Sequence, residues 1–192
     1  MFRLGKLLGK GVHGEVFELQ DDPTKAIKIA WAPLSISFSP ALQTIQKKYN
    51  LKQFSFSEIE QTYKFLLHHR IPILATLYSF ETLIAEETLQ QYAVIMEKLL
   101  PLSDDEHRVF ESLCREYNGE LGNGKFLTHL QELHQWLDFS YVKIFEFYKK
   151  VAKLPIIHRD FNRRNIMKDN DGNFKLIDFE LVVIKNIQSK NN

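Results

Sequence analysis

Apolar and polar positions change period several times along the chain, and each change marks a different kind of element. Val16, Phe17 and Leu19 follow a glycine-rich stretch, Asp21-Asp22-Pro23 reads as a turn, and residues 25–29 alternate with the period of two that a strand requires. Ser39-Pro40 places a capping serine before a proline at the first helical position, which predicts a short helix to about Tyr49. Ser57 predicts a second helix start, with Glu60 three residues later as its capping-box partner. Ile59, Tyr63, Leu66 and Leu67 then share one face, and the helix ends before Pro72. Two strands are expected at 74–80 and 91–96, around an acidic turn at Glu86-Glu87. Beyond Pro101 the period becomes helical. Ser103 and Glu106 form a capping box, Asn118-Gly119 and Gly122-Asn123-Gly124 mark a loop, and Phe126, Leu130, Leu133 and Leu137 space as a core-facing helix. Tyr141, Ile144, Phe145, Tyr148, Val151 and Ala152 space as another, after which Ile166-Met167, a turn at Asn170-Asp171-Gly172 and residues 174–177 read as a strand pair.

Strands with one helix, then helices, then a strand pair carrying polar loops predict an α+β fold. We expect a single domain, 1–192, made of an antiparallel sheet portion (1–98) and a reduced, mostly helical portion (99–192), with the boundary near Leu99–Pro101.

Composition narrows the function. Apolar residues are 44% and charged residues 26% of the 192 residues, the balance of a folded globular chain. The net charge of +1 gives no electrostatic footprint for nucleic acid. No apolar run reaches the ~18 residues of a membrane span, and with residues 1–8 too short to hold one, no signal peptide is expected. A single cysteine, Cys114, excludes an internal disulfide and a thiolate metal site, and points to a reducing, cytoplasmic compartment. Residues 185–192 read as a polar, frayed tail.

Four groups carry candidate chemistry. Gly9-Lys-Gly11-Val-His-Gly14-Glu-Val16 allows a tight turn whose backbone N–H groups can approach phosphate. A plain hairpin tip uses the same residues. A dinucleotide turn needs a helix immediately afterwards, and the strand-like 16–19 segment disfavours it. Lys28 lies between apolar neighbours on a strand, twelve residues after Val16, where a point charge can reach phosphates. His158-Arg159-Asp160-Phe-Asn-Arg-Arg-Asn165 sets an aspartate in a loop with an asparagine five residues on, a base beside a neutral oxygen donor. Leu176-Ile-Asp178-Phe179 ends an apolar strand on a carboxylate suited to a hard cation.

In this order and at these spacings, GKGVHGEV, AIK, HRDFNRRN and IDF resemble the motif series of the protein kinase superfamily, over about residues 4–179. The resemblance implies a minimal two-lobed kinase fold, with one helix on the sheet lobe, that uses ATP and Mg²⁺. By position, Leu8, Gly9, Gly11 and Gly14 would cover the nucleotide. Val16 and Ala26 would lie above adenine and Met167 below it. Met96 would guard the back pocket, and Glu97 and Leu99 would offer backbone hydrogen bonds. Lys28 would hold the α/β-phosphates, Asp160 would be the catalytic base, and Asn165 and Asp178 would bind magnesium. Glu60 is the expected partner of Lys28: it lies about 80° from the centre of its helix's apolar face, against about 120° for Glu58, at ~100° per residue.

The chain departs from the family at several points. Glu180 stands where glycine follows Asp-Phe, and only 14 residues follow Asp178, so no activation segment is expected. Arg159 would lack its usual phosphate partner. Either constitutive activity or an activating protein that completes the second lobe is therefore expected. The short form is similar to the minimal effector kinases that pathogenic bacteria deliver into host cells. The acceptor is expected to be a protein hydroxyl, serine or threonine ahead of tyrosine. Asn162 nevertheless stands where Ser/Thr kinases carry lysine, and Arg164 where tyrosine kinases carry arginine. The ending Ile-Asp-Phe-Glu is similar to choline and aminoglycoside kinases, which keeps a small-molecule kinase as the alternative, beside an inactive ATP-binding module. His68 and His69 read as helix-end residues, and His129 and His134 do not share the face of a zinc pair. Trp136 and the aromatic residues of 139–148 read as core, and Cys114 as a small buried hydrophobe.

Overall fold

The computed structural model describes residues 2–11, 14–33, 55–86, 89–111 and 142–184. The helices expected at 39–49 and 126–137, the loop at 118–124, the tail at 185–192, and Glu87, Cys114, His129, His134 and Trp136 lie outside these residues. The fold is α+β. It divides into two compact units, one of Met1–Ile71, Thr76–Lys98 and Phe179–Val182, the other of Pro72–Ala75, Leu99–Asp178 and Val183–Asn192.

The first unit is built on a five-stranded antiparallel sheet of order β1-β2-β3-β5-β4. Its strands are β1 (Leu4–Lys10), β2 (Gly14–Leu19), β3 (Asp22–Pro33), β4 (Leu77–Ala85) and β5 (Leu89–Glu97). The β2–β3 turn is one residue earlier than the Asp21-Asp22-Pro23 pattern suggests, because Asp22 already pairs with Leu19. Pro23 then falls in the register shift before Glu18↔Ala26, where a missing N–H breaks no regular ladder bond. β4 and β5 also run past the expected 80 and 96, and Leu74 lies outside β4, in a parallel bridge to Leu176 of the second unit, to which both belong.

Alternation along β3 divides the sheet into two faces. Ile27 packs with Leu19 and Ala93, flanked by Phe2, Phe17, Ile29 and Ile95. Lys28 and Ala30 point the other way, opposite Val94 and Tyr92 of β5. Helix α1 (Phe56–His68) covers this second face, burying Ile59, Thr62, Tyr63 and Leu66. The Tyr63 ring lies 5.2 Å from that of Phe80 and 6.2 Å from that of Tyr92.

The start of α1 corrects the sequence expectation. Ser55, not Ser57, is the cap, and its box partner is Glu58, not Glu60. Two overlapping Ser-x-x-Glu pairs compete here, and the earlier one brings Phe56 into the helix, where its ring lies 6.1 Å from both Phe80 and Tyr92. Ser57 is exposed within the first turn. Ser55→Ala is therefore expected to lower unfolding free energy by about 1 kcal/mol, and Ser57→Ala by much less, in urea titrations. Equal losses would mean that the cap is misplaced.

In the second unit, residues 104–111 are helical. Ser103 N–H donates to Glu106 Oε2 (2.7 Å) and Glu106 N–H to Ser103 Oγ (3.4 Å), the reciprocal box expected there. Helix α2 (Val142–Ala152) buries Ile144, Phe147, Tyr148 and Val151. The core is aromatic: Phe110 lies 5.0 Å from Phe174, and Tyr148 lies 5.3 Å edge-on from Phe161. Short strands accompany these helices, among them the pair expected at 166–177. β7 (Ile166–Lys168) and β8 (Phe174–Leu176) form a hairpin, and β6 (Ile156–His158) pairs with β9 (Val182–Ile184), whose last two residues belong here. The hairpin turn is held by Asp169, whose Oδ1 accepts from Asp171 N–H and Asn173 N–H, with Gly172 at φ 77°. No described helix is long and apolar enough to cross a membrane.

Candidate functional site

The first unit carries a glycine turn and a buried ion pair. Gly9 lies opposite Val16, one residue before the end of β1, and Gly11 N–H donates to Gly14 O at 2.8 Å, closing the connection to β2. Gly14 is required by close approach: a Cβ there would lie 2.3 Å from Ile29 O and 2.8 Å from Ala30 Cα. Beside Gly9, by contrast, a Cβ would meet nothing within 4 Å. Leu8, before this turn, is exposed.

Register fixes the next residues. Val16 lies opposite Lys28, which lies opposite Val94, and Ala26 lies opposite Met96. One row of the sheet thus holds Val16, Lys28 and Val94, and the next row, on the same face, holds Glu18, Ala26 and Met96. Glu97 is tied to Thr76 in both directions: its N–H donates to Thr76 O (2.9 Å) and its Oε1 accepts Thr76 N–H (2.7 Å). Any backbone group that Glu97 offers a ligand is therefore its carbonyl.

Lys28 is buried, and its Nζ lies 2.7 Å from Glu180 Oε1. Tyr92 Oη donates to the same oxygen at 2.6 Å. This corrects the expected Lys28–Glu60 pair. Glu60 pairs with Lys64 one turn along α1 (2.9 Å), and Glu58 accepts the Ser55 N–H (2.8 Å) and hydroxyl (2.9 Å) of the cap. Both helix glutamates have local partners, and the carboxylate at Lys28 comes from the 3₁₀ turn Phe179–Leu181. In the sequence Glu180 stands out as a replaced glycine and as the end of Ile-Asp-Phe-Glu, and neither feature points to Lys28. Tyr92 was legible through its two-residue spacing from Val94 on one strand, which sets both on the Lys28 face.

The second unit carries the polar loop. Asp160 is exposed, and its carboxylate is held from both sides: Asn162 Nδ2 donates to Oδ1 and Asn165 Nδ2 to Oδ2, each at 2.9 Å. Asn165 Nδ2 also donates to Asp160 O (2.8 Å). Asn162 Oδ1 accepts Arg164 N–H (2.8 Å) and so caps the 3₁₀ turn Arg163–Asn165 that folds position 165 back onto 160. In the sequence Asn162 stands out for the lysine that it replaces. An aspartate followed two residues later by asparagine was the available signal, since asparagine readily bonds neighbouring backbone.

His158 is buried, and its Nε2 lies 2.9 Å from Ile177 O. Burial pushes its imidazole below the usual range, so it is neutral at pH 7 and serves as a polar tie rather than a charge. Ile177 N–H donates to Asn165 O (2.9 Å), joining the loop to the strand end before Asp178. Among the described residues, Asp178 is the non-glycine with positive φ, 65°. Aspartate tolerates this left-handed conformation better than most residues, but such a position costs energy and is retained where a side chain must be aimed.

Met167 is half-buried on β7, opposite Lys175. The Leu99 amide takes part in no backbone hydrogen bond among the described residues, whereas Leu100 N–H donates to Lys168 O at 2.7 Å.

Asn165 and Asp178 are hard oxygen donors that suit magnesium. Asn165 directs its amide nitrogen to Asp160, which leaves its amide oxygen for other partners. Among the described residues no group of three or more His, Cys, Asp or Glu is positioned for a metal, so an ion here would draw on phosphate and water oxygens as well. No protein-family model matches the chain, and no curated protein matches it either.

Proposed function

We propose that this chain is an ATP-dependent protein kinase of minimal, two-lobed, protein-kinase-like fold, which transfers the γ-phosphoryl group of Mg·ATP to a protein hydroxyl. The observation that carries the proposal is the Asp160 carboxylate, exposed yet held by the amides of Asn162 and Asn165. A base fixed in orientation and open to solvent is what an incoming hydroxyl needs. Lys28 supplies the positive charge for the α/β-phosphates. Gly9, Gly11 and Gly14 cover the phosphate chain, and the space beside Gly9 leaves room for it. Asn165 and Asp178 hold the metal, which when bound offsets charge on the transferring phosphoryl group. Val16, Ala26 and Met167 contact adenine, and the Glu97 carbonyl and Leu99 N–H bond its edge. Positioning and electrostatics, rather than covalent chemistry, do most of this work.

The test is incubation of the purified protein with Mg·ATP, beside Asp160→Ala, with casein as a generic acceptor, read by intact mass and peptide mapping. Phosphate on serine or threonine in the wild-type reaction, and none with Asp160→Ala, is expected. Phosphate appearing only on an added small alcohol such as choline would replace protein with small-molecule acceptors. No transfer to any acceptor would remove the kinase assignment.

A further inference from the structure

We infer that Glu180 is the positioning residue for Lys28, so that the phosphate-anchoring lysine is set by the segment that follows Asp178 rather than by helix α1. The inference rests on the kinase reading above and deepens it. In this chain the lysine's carboxylate partner lies two residues beyond the proposed metal ligand, and the two glutamates of α1 pair within their own helix and its cap.

Glu180 Oε1 receives two donors, Lys28 Nζ at 2.7 Å and Tyr92 Oη at 2.6 Å, and its side chain is 7% exposed. Two donors on one oxygen, one on β3 and one on β5, leave the carboxylate little freedom to turn. The segment that carries Glu180 is itself clamped within the first unit. The Phe179 ring lies edge-on to Tyr63 of α1 at 6.2 Å, and Thr62 Oγ1 donates to Val182 O at 3.5 Å. The two acidic residues of α1 are engaged by Lys64 and by the Ser55 cap. A lysine on a four-carbon stem has many rotamers, and a fixed carboxylate selects the one that the phosphates need. The arrangement also ties two functions to one short segment: Asp178 for the metal and Glu180 for the lysine.

The experiment compares wild type, Glu180→Gln, Tyr92→Phe and Glu60→Gln for kcat and KM for ATP, with unfolding midpoints measured alongside. Lys28 acylation by acetic anhydride, mapped by mass spectrometry, reads the lysine's exposure and nucleophilicity independently of turnover. Glutamine keeps the size of Glu180 and can still accept the Tyr92 hydroxyl, so the fold is expected to hold. Glu180→Gln is expected to lower kcat/KM for ATP roughly ten- to hundred-fold, with several-fold faster Lys28 acylation, and Tyr92→Phe is expected to lower kcat/KM less. Active wild type with unchanged kcat/KM in Glu180→Gln would overturn the inference and leave the kinase reading standing. So would Glu60→Gln falling as far as Glu180→Gln. If Glu180→Gln unfolds, Tyr92→Phe decides: a drop in kcat/KM supports the role, and wild-type kcat/KM overturns it. Wild type that transfers no phosphate from Mg·ATP to itself, to casein or to water overturns both.

Discussion

Asp178→Asn is expected to abolish phosphoryl transfer while leaving the protein folded. Asparagine is close in size to aspartate and is among the few residues that tolerate the left-handed conformation found here, φ 65°. The backbone therefore stays where it is, and the change removes one negative charge from the proposed magnesium site. Charge stabilisation by a catalytic metal amounts to several kcal/mol, and a loss of about 4 kcal/mol corresponds to roughly 10³-fold in rate. Magnesium should also stop strengthening ATP binding in this variant, which titrations with and without the ion would show. Asp178→Ala should lose activity equally and stability besides, by about 1 kcal/mol, because alanine gains nothing locally from the left-handed region. Magnesium-dependent turnover in Asp178→Asn near the wild-type level would rule this residue out as a ligand.

The second large effect concerns Lys28, where activity and stability should separate. Lys28→Met removes the proposed phosphate anchor, and loss of one preorganised charge of this kind lowers kcat by roughly 10²–10³-fold. It also leaves Glu180, 7% exposed, without the ammonium group 2.7 Å away. Removing one partner of a buried pair costs about 3–5 kcal/mol, whereas replacing both with apolar residues is often neutral. The double variant Lys28→Met/Glu180→Leu should therefore regain most of the stability lost by Lys28→Met in urea unfolding, and none of the activity. Tyr92 keeps its hydroxyl in the double variant and would then lack its carboxylate acceptor, so a small deficit is expected to remain. Recovery of turnover together with stability would show that Lys28 is a structural residue only.

Some of this molecule follows directly from local spacing. The Asp160–Asn165 contact spans five residues and one 3₁₀ turn, so both residue types and their proximity can be read from a short window. The same holds for the Ser103–Glu106 box and for the Asp169–Gly172 turn. Local reading fails where two local solutions are nearly equal. Ser55 and Ser57 each have a glutamate three residues on, and the packing of Phe56 against Phe80 and Tyr92 accompanies the earlier cap. That choice in turn engages Glu58. A helical wheel gives the angle of Glu60 around its own axis, but not which strand residue that angle meets.

By itself, the sequence determined the α+β element order, the placement of Lys28 on a strand and the loop that holds Asp160 with Asn165. Each depends on residues within a few positions of one another, where backbone geometry leaves few alternatives. Only the tertiary structure decided the partner of Lys28. Glu180 is 152 positions away along the chain, and their contact depends on the β3–β5 register and on Phe179 packing against Tyr63. Contacts of that separation come from burying apolar surface, which depends on the whole assembly of strands and helix rather than on any one of them.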